Sequence, residues 1–144
     1  MKKTLLYKLF KIGKMPAREA SEIQSEGVIL FDEGFKGTKT YINFRAPWRY
    51  SNWKRQWFTA SIAHTETRFV AFQYALKMID IPFSDERFRG LKFSIEDDGA
   101  LLVAFDASLF LNDTTGDLEH RFYTPLAREF FTKLTEKQEA RSEK

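Results

Sequence analysis

The chain has 144 residues and a mass of 16.9 kDa, the size of one domain. It contains no cysteine, which excludes a disulfide scaffold, thiolate metal ligation and cysteine nucleophiles, and its 43% hydrophobic and 30% charged residues exclude global disorder. The net charge of +3 conceals an asymmetry: residues 1–59 carry twelve Lys and Arg against five Asp and Glu, whereas residues 60–144 carry eleven against fifteen.

The chain opens with Met-Lys-Lys-Thr-Leu-Leu-Tyr-Lys-Leu-Phe-Lys-Ile-Gly-Lys. Lys8 and Lys11 interrupt its apolar stretch and no small-residue cleavage site follows, so it does not read as a signal peptide. No run reaches the roughly 20 apolar residues that span a bilayer, and the expected setting is the cytoplasm, with peripheral attachment to the inner membrane surface as a variant. On a helix, Leu5, Leu6, Leu9 and Phe10 share one face, among Lys2, Lys3, Lys8, Lys11 and Lys14. Such a basic arm either lies on an anionic membrane or docks on its own domain. A surface helix is expected from Pro16 to Glu26, ending at Gly27, with only Ala17, Ala20 and Ile23 to bury.

From Gly27 the period changes to two. Val28–Phe31 ends at the turn signal Asp32-Glu33-Gly34, and Thr38, Thr40, Ile42 and Phe44 alternate after it. Alternation returns at Phe58–His64, Phe69–Phe72, Leu76–Ile81, Leu91–Ile95, Leu101–Phe105 and Leu118–Phe122, with Asp98-Gly99 as a hairpin turn. This is a mainly β pattern: an antiparallel barrel or sandwich. Thr124 and Pro125 then open an amphipathic helix whose stripe is Leu126, Ala127, Phe130, Phe131 and Leu134, a cap for the open end of the barrel. The expected organisation is an arm and surface helix over residues 1–26, a barrel with capping helix over 27–135, and a charged, fraying tail over 136–144.

Within this pattern Ala60-Ser-Ile-Ala-His-Thr-Glu-Thr-Arg-Phe-Val-Ala-Phe72 runs from an apolar strand through Thr65-x-x-Arg68 to a second apolar strand, and Ile81-Pro82-Phe83 follows. These segments resemble the GRAM and bacterial PH-like branches of the pleckstrin-homology superfold. Over roughly Gly27 to Leu134 the resemblance implies a PH-like barrel of about seven strands with a C-terminal capping helix. Lys36, Lys39 and Arg45 do not reproduce the phosphoinositide spacing of that family. Read on its own chemistry, Thr65 holds a tight turn through local backbone bonds, and Arg68 reaches turn carbonyls.

The densest functional signal is Arg45-Ala-Pro-Trp-Arg-Tyr-Ser-Asn-Trp-Lys-Arg-Gln-Trp-Phe58, which holds all three tryptophans and no acid. Pro47 predicts a loop between the second and third strands. The candidate binding residues are Arg45, Trp48, Arg49, Tyr50, Trp53, Lys54 and Arg55; Trp57, which directly precedes a strand, is assigned to the core. Trp, Tyr and Arg are enriched at protein hot spots, and aromatic and basic side chains together suit an anionic membrane interface or single-stranded nucleic acid. The competing structural reading folds the tryptophans back on the barrel with the arginines stacked on them.

Catalysis has little support. His64 and His120 lie on separate strands and read as satisfied core histidines, Glu96-Asp97-Asp98 as a solvated hairpin tip, and the Asp106–Gly116 loop does not follow the EF-hand spacing. No cofactor or metal is implied. The expectation is a non-catalytic module that binds a protein partner, another copy of itself or an anionic membrane through residues 45–58. The alternatives are a lipocalin-like carrier of an apolar small molecule and a single-stranded nucleic-acid binder. The carrier is disfavoured by the short strands, the missing Gly-x-Trp opening and a helix that plugs the barrel.

Overall fold

A computed structural model describes Lys3, Thr4, Lys8 and residues 14–142. Its strands are β1 (Val28–Ala46), β2 (Arg49–Ser51), β3 (Lys54–Thr65), β4 (Arg68–Gln73), β5 (Leu76–Pro82), β6 (Lys92–Ile95), β7 (Leu101–Asp106) and β8 (Thr115–Phe122). The helices are α1 (Ala17–Glu26) and α2 (Ala127–Ser142). The mainly β fold with a short N-terminal and a longer C-terminal helix is the one the sequence predicts, but its strands divide differently. The first two expected strands are one: at the anticipated turn Gly34 takes φ 80°, and the pairing of β1 with β3 shifts between Glu33 and Phe35. A glycine in a left-handed conformation absorbs an extra residue as a bulge without breaking the ladder.

Neighbouring strands are antiparallel and follow the order β5-β4-β3-β1-β8-β7-β6, with β2 paired to β1 alone. The sheet curls strongly. Phe69 on β4 and Phe93 on β6 meet edge to face at 6.1 Å although four strands lie between them in that order. The curl makes an inner face, filled by Phe35, Phe58, Ile62, Phe69, Leu101, Val103 and Phe122 and sealed by Ala127, Phe130 and Leu134 of α2. Burial of this many aromatic rings is the principal stabilising contribution. The helix does not fray at residue 136, since Gln138 Nε2 donates to the carbonyls of Phe88 and Leu91 at 3.0 and 2.7 Å. Its start matches the capping chemistry: Thr124 Oγ1 accepts from Leu126 N at 3.1 Å and donates to Asp32 Oδ2 at 2.6 Å.

On the outer face Met15 and Ile23 pack over Ala63, Val70 and Phe72, which fixes α1 against β3 and β4. Thr4 N donates to Gly34 O at 2.7 Å and Thr4 Oγ1 shares a hydrogen bond with Thr59, so this part of the arm docks beside the β1 bulge. The predicted amphipathic face of Leu5, Leu6, Leu9 and Phe10, with Lys2 and Lys11, lies outside the described residues.

Thr65-x-x-Arg68 joins these layers. Thr65 Oγ1 accepts from Thr67 N and Arg68 N at 3.1 and 3.0 Å, as its turn role requires. Arg68 does not reach turn carbonyls. Its guanidinium bridges Glu26 on α1, at 2.7 Å, and Asp80 on β5, at 2.9 Å. The hydrogen bond from Arg68 leads the effects that hold the Glu26 carboxyl below its ordinary value. Burial pushes Asp80 up, but Lys77 and Arg68 bind it and leave it lowered. Both carboxyls are more acidic folded than unfolded, so the unfolded chain binds more protons in acid. The stabilisation is complete above the ordinary carboxylate range and is lost as the pH falls through the lowered folded values. Glu26→Gln is therefore expected to cost about 1–3 kcal/mol in urea unfolding at neutral pH, with the gap to the parent protein narrowing below about pH 4. A gap independent of pH contradicts the assignment.

Candidate functional site

Residues 45–58 do not form a loop. Pro47 and Trp48 are the two-residue turn of a ribbon in which β1 pairs first with β2, through Phe44–Ser51, Arg45–Tyr50 and Ala46–Arg49, and then with β3. The proline is tolerated because it occupies the turn and needs no ladder partner. Between β2 and β3 lies a second irregularity at Asn52 and Trp53, opposite Asn43, whose amide donates to Asn52 Oδ1 at 3.0 Å. Gly116 of β8 presses on this bend: a Cβ there would lie 2.3 Å from the Asn43 carbonyl oxygen, and its φ is +103°.

Both turn tryptophans hold left-handed backbone, Trp48 at φ 65° and Trp53 at φ 58°. Bulky residues adopt this conformation at a cost of order 1–3 kcal/mol, which glycine largely avoids. The chain carries that strain to place large rings in solvent. Trp48 is completely exposed, Trp53 is 68% exposed and Trp57 is 59% exposed. The assignment of Trp57 to the core is corrected: β4 ends at Gln73, opposite Ala60, and the α1 contacts lie at Ala63, Val70 and Phe72, so neither element covers Trp57. The tryptophans do not fold back under the arginines either. The arginines stack on other rings, Arg45 on Tyr50 at 4.5 Å and Arg49 on Tyr41 at 4.7 Å.

Register sorts the cations onto two sides of the ribbon. Lys36, Arg45 and Arg55 share the outer face; Lys39, Arg49 and Lys54 share the inner face with Tyr41 and Phe44. Lys36 Nζ sits 4.0 Å from the Trp57 ring and 4.3 Å from that of Tyr123, and Arg55 Nε donates to Thr40 Oγ1 at 3.1 Å. Among the described residues, none of these six cations has a carboxylate within ion-pair distance. Their field reaches Tyr41: burial pushes its phenol up, yet Lys39 and Arg49 leave it below its ordinary value. All seven predicted site residues therefore gather on one ribbon. Lys36, Lys39, Tyr41 and Tyr123 join them only through strand register, which no local motif reveals.

The remaining candidates separate. Glu96 is not simply solvated, since it accepts from Arg121 Nε at 2.7 Å. His64 and His120 are buried as expected, and among the described residues no protein group hydrogen-bonds the ring nitrogens of His120. His120 lies parallel to the rings of Phe105 and Phe122 on either side, and burial, aided by the charge of Lys39, pushes its pKa down to about 3. It is a neutral core ring near pH 7. A groove of about 550 Å³ between α2 and the start of β1, lined by Ile29, His64, Glu66, Lys133, Glu136, Lys137 and Ala140, lies at the opposite end of β1 from the ribbon turn. No three His, Asp or Glu side chains among the described residues converge as a metal site. No family model, curated protein or solved structure matches the chain.

The tryptophan emission of the free protein is expected to resemble that of solvated indole. Relative to a free neutral indole, iodide should quench it more effectively and caesium less, because the surrounding cations concentrate the anion and repel the cation. A blue-shifted, iodide-resistant emission would place the rings against the sheet and contradict this geometry.

Proposed function

We propose that the protein is a non-catalytic, PH-like module that docks on an anionic membrane surface through the β1–β2–β3 ribbon. The observation that carries this reading is the fully exposed Trp48 at the turn, between cations on both faces that have no carboxylate partner among the described residues. Tryptophan and tyrosine settle at the level of lipid headgroups, and each Lys or Arg near an anionic leaflet contributes about 1 kcal/mol. Two further features support it. Counting β2 and β3 as one interrupted strand leaves seven strands and a capping helix, the number the family resemblance implies. Strain spent on displaying Trp48 and Trp53 also favours a contact outside the domain over a packing role. No helix among the described residues is long and apolar enough to cross a membrane, so attachment in this reading is peripheral.

Flotation with vesicles of phosphatidylcholine and phosphatidylserine tests the proposal. The protein should float with these vesicles, remain behind with phosphatidylcholine alone, and detach as salt is raised. Replacing Arg45, Arg49, Lys54 and Arg55 with glutamine should weaken partitioning by about 2–4 kcal/mol, tens to roughly a thousandfold. Trp48→Gly separates function from folding: it relieves the left-handed strain and should leave stability unchanged or raise it by up to about 1 kcal/mol, while vesicle binding falls. No flotation, together with retention of a dimer on size exclusion that the glutamine variant loses, would replace this reading with self-association.

A further inference from the structure

Resting on that membrane reading, we infer that the ribbon enters the bilayer interface end-on, with Trp48 deepest and Trp57 in water, and that it recognises surface charge density and not one headgroup. The first argument is the division of the cations. Lying flat, the ribbon could offer only one face, Lys36, Arg45 and Arg55 or Lys39, Arg49 and Lys54, and would leave the other set unused. End-on, both sets surround the inserted turn.

The second argument is what adjoins each face. The inner face carries Tyr41 and Phe44 into the core. On the outer face the neighbouring β8 places Asp117 opposite Ile42, a carboxylate that an anionic surface repels in a flat approach, and Glu119, paired with Arg121, opposite Thr40. No acid interrupts the chain between Glu33 and Glu66, so the ribbon's own residues carry no carboxylate.

The third argument is length. Trp57 pairs with Thr38, nine residues before the turn at Pro47, which at about 3.3 Å per residue sets it roughly 25–30 Å back from Trp48. Interfacial side chains enter only about 5–10 Å. Trp48 therefore reaches the acyl boundary, Trp53, five residues along the chain, sits near the outer headgroups, and Trp57 stays in solvent holding Lys36.

Headgroup indifference follows from the same arrangement. Arg45 and Arg49 lie on opposite faces and each is engaged by an aromatic ring, so the ribbon does not chelate one phosphate cluster with convergent donors.

Three variants that each retain one tryptophan, the other two replaced by phenylalanine, bound to saturating phosphatidylserine-containing vesicles with brominated acyl chains, read the depth directly. Quenching should be strongest for the Trp48-only variant, weaker for Trp53 and close to the unbound value for Trp57. Equal quenching of Trp57 and Trp48 means flat docking and overturns the inference while leaving membrane binding intact. Absence of flotation by the parent protein overturns the membrane reading itself. Vesicles of matched surface charge, made with phosphatidylserine or phosphatidylinositol bisphosphate, should bind within about threefold of each other; a preference above about tenfold overturns charge-density recognition.

Discussion

One strand, β1, is hydrogen-bonded along both edges, to β3 from its beginning through Tyr41 and to β8 from Gly37 onward. Every other feature depends on that sharing. It links the β3–β4–β5 meander to the β6–β7–β8 meander in one continuous sheet, and the curl of that sheet makes the inner face that α2 fills. A backbone paired on both sides has little freedom, so its irregularities become directional. Gly34 absorbs a residue where the arm docks, and Asn43, pressed by Gly116, sets the bend from which the ribbon turn projects.

The protein treats its cations in two ways. Away from the ribbon, Arg68, Lys77, Arg87 and Arg121 each hold one or more carboxylates. Arg68 in particular ties α1 to β4 and β5 through Glu26 and Asp80. On the ribbon Lys36, Lys39, Arg45 and Arg49 rest on aromatic rings and Arg55 on a threonine hydroxyl, which keeps their charge available. Cation–π contacts at exposed sites contribute only about 0.5–1 kcal/mol, so they order the side chains without committing them. The net +3 is therefore a poor summary of a domain whose basic charge is neutralised in one place and displayed in another.

Much of the fold was legible because alternation and turn chemistry are local. The strands from β4 onward, the end of α1 at Gly27 and the Thr124 cap all follow from short stretches of residues. Asp32-Glu33-Gly34 has the composition of a turn, but a long ladder with β3 holds the chain extended through it, and glycine accepts the bulge. Pro47 predicts a loop, yet a hairpin turn satisfies the same restriction. Nothing local links Arg68 to its partner Glu26, which lies 42 residues earlier on another element.

The sequence by itself determined the class of fold, the location of the aromatic and basic residues, and the absence of acid from the segment that holds them. Those properties depend only on residue type and spacing. The tertiary structure decided which of these residues are exposed. Alternation puts Trp57 on a definite face of β3 but says nothing about what covers that face, and coverage depends on where β4 stops and where α1 docks. The division of the cations between two faces is likewise a property of register, since an adjacent bulge changes which side each residue occupies.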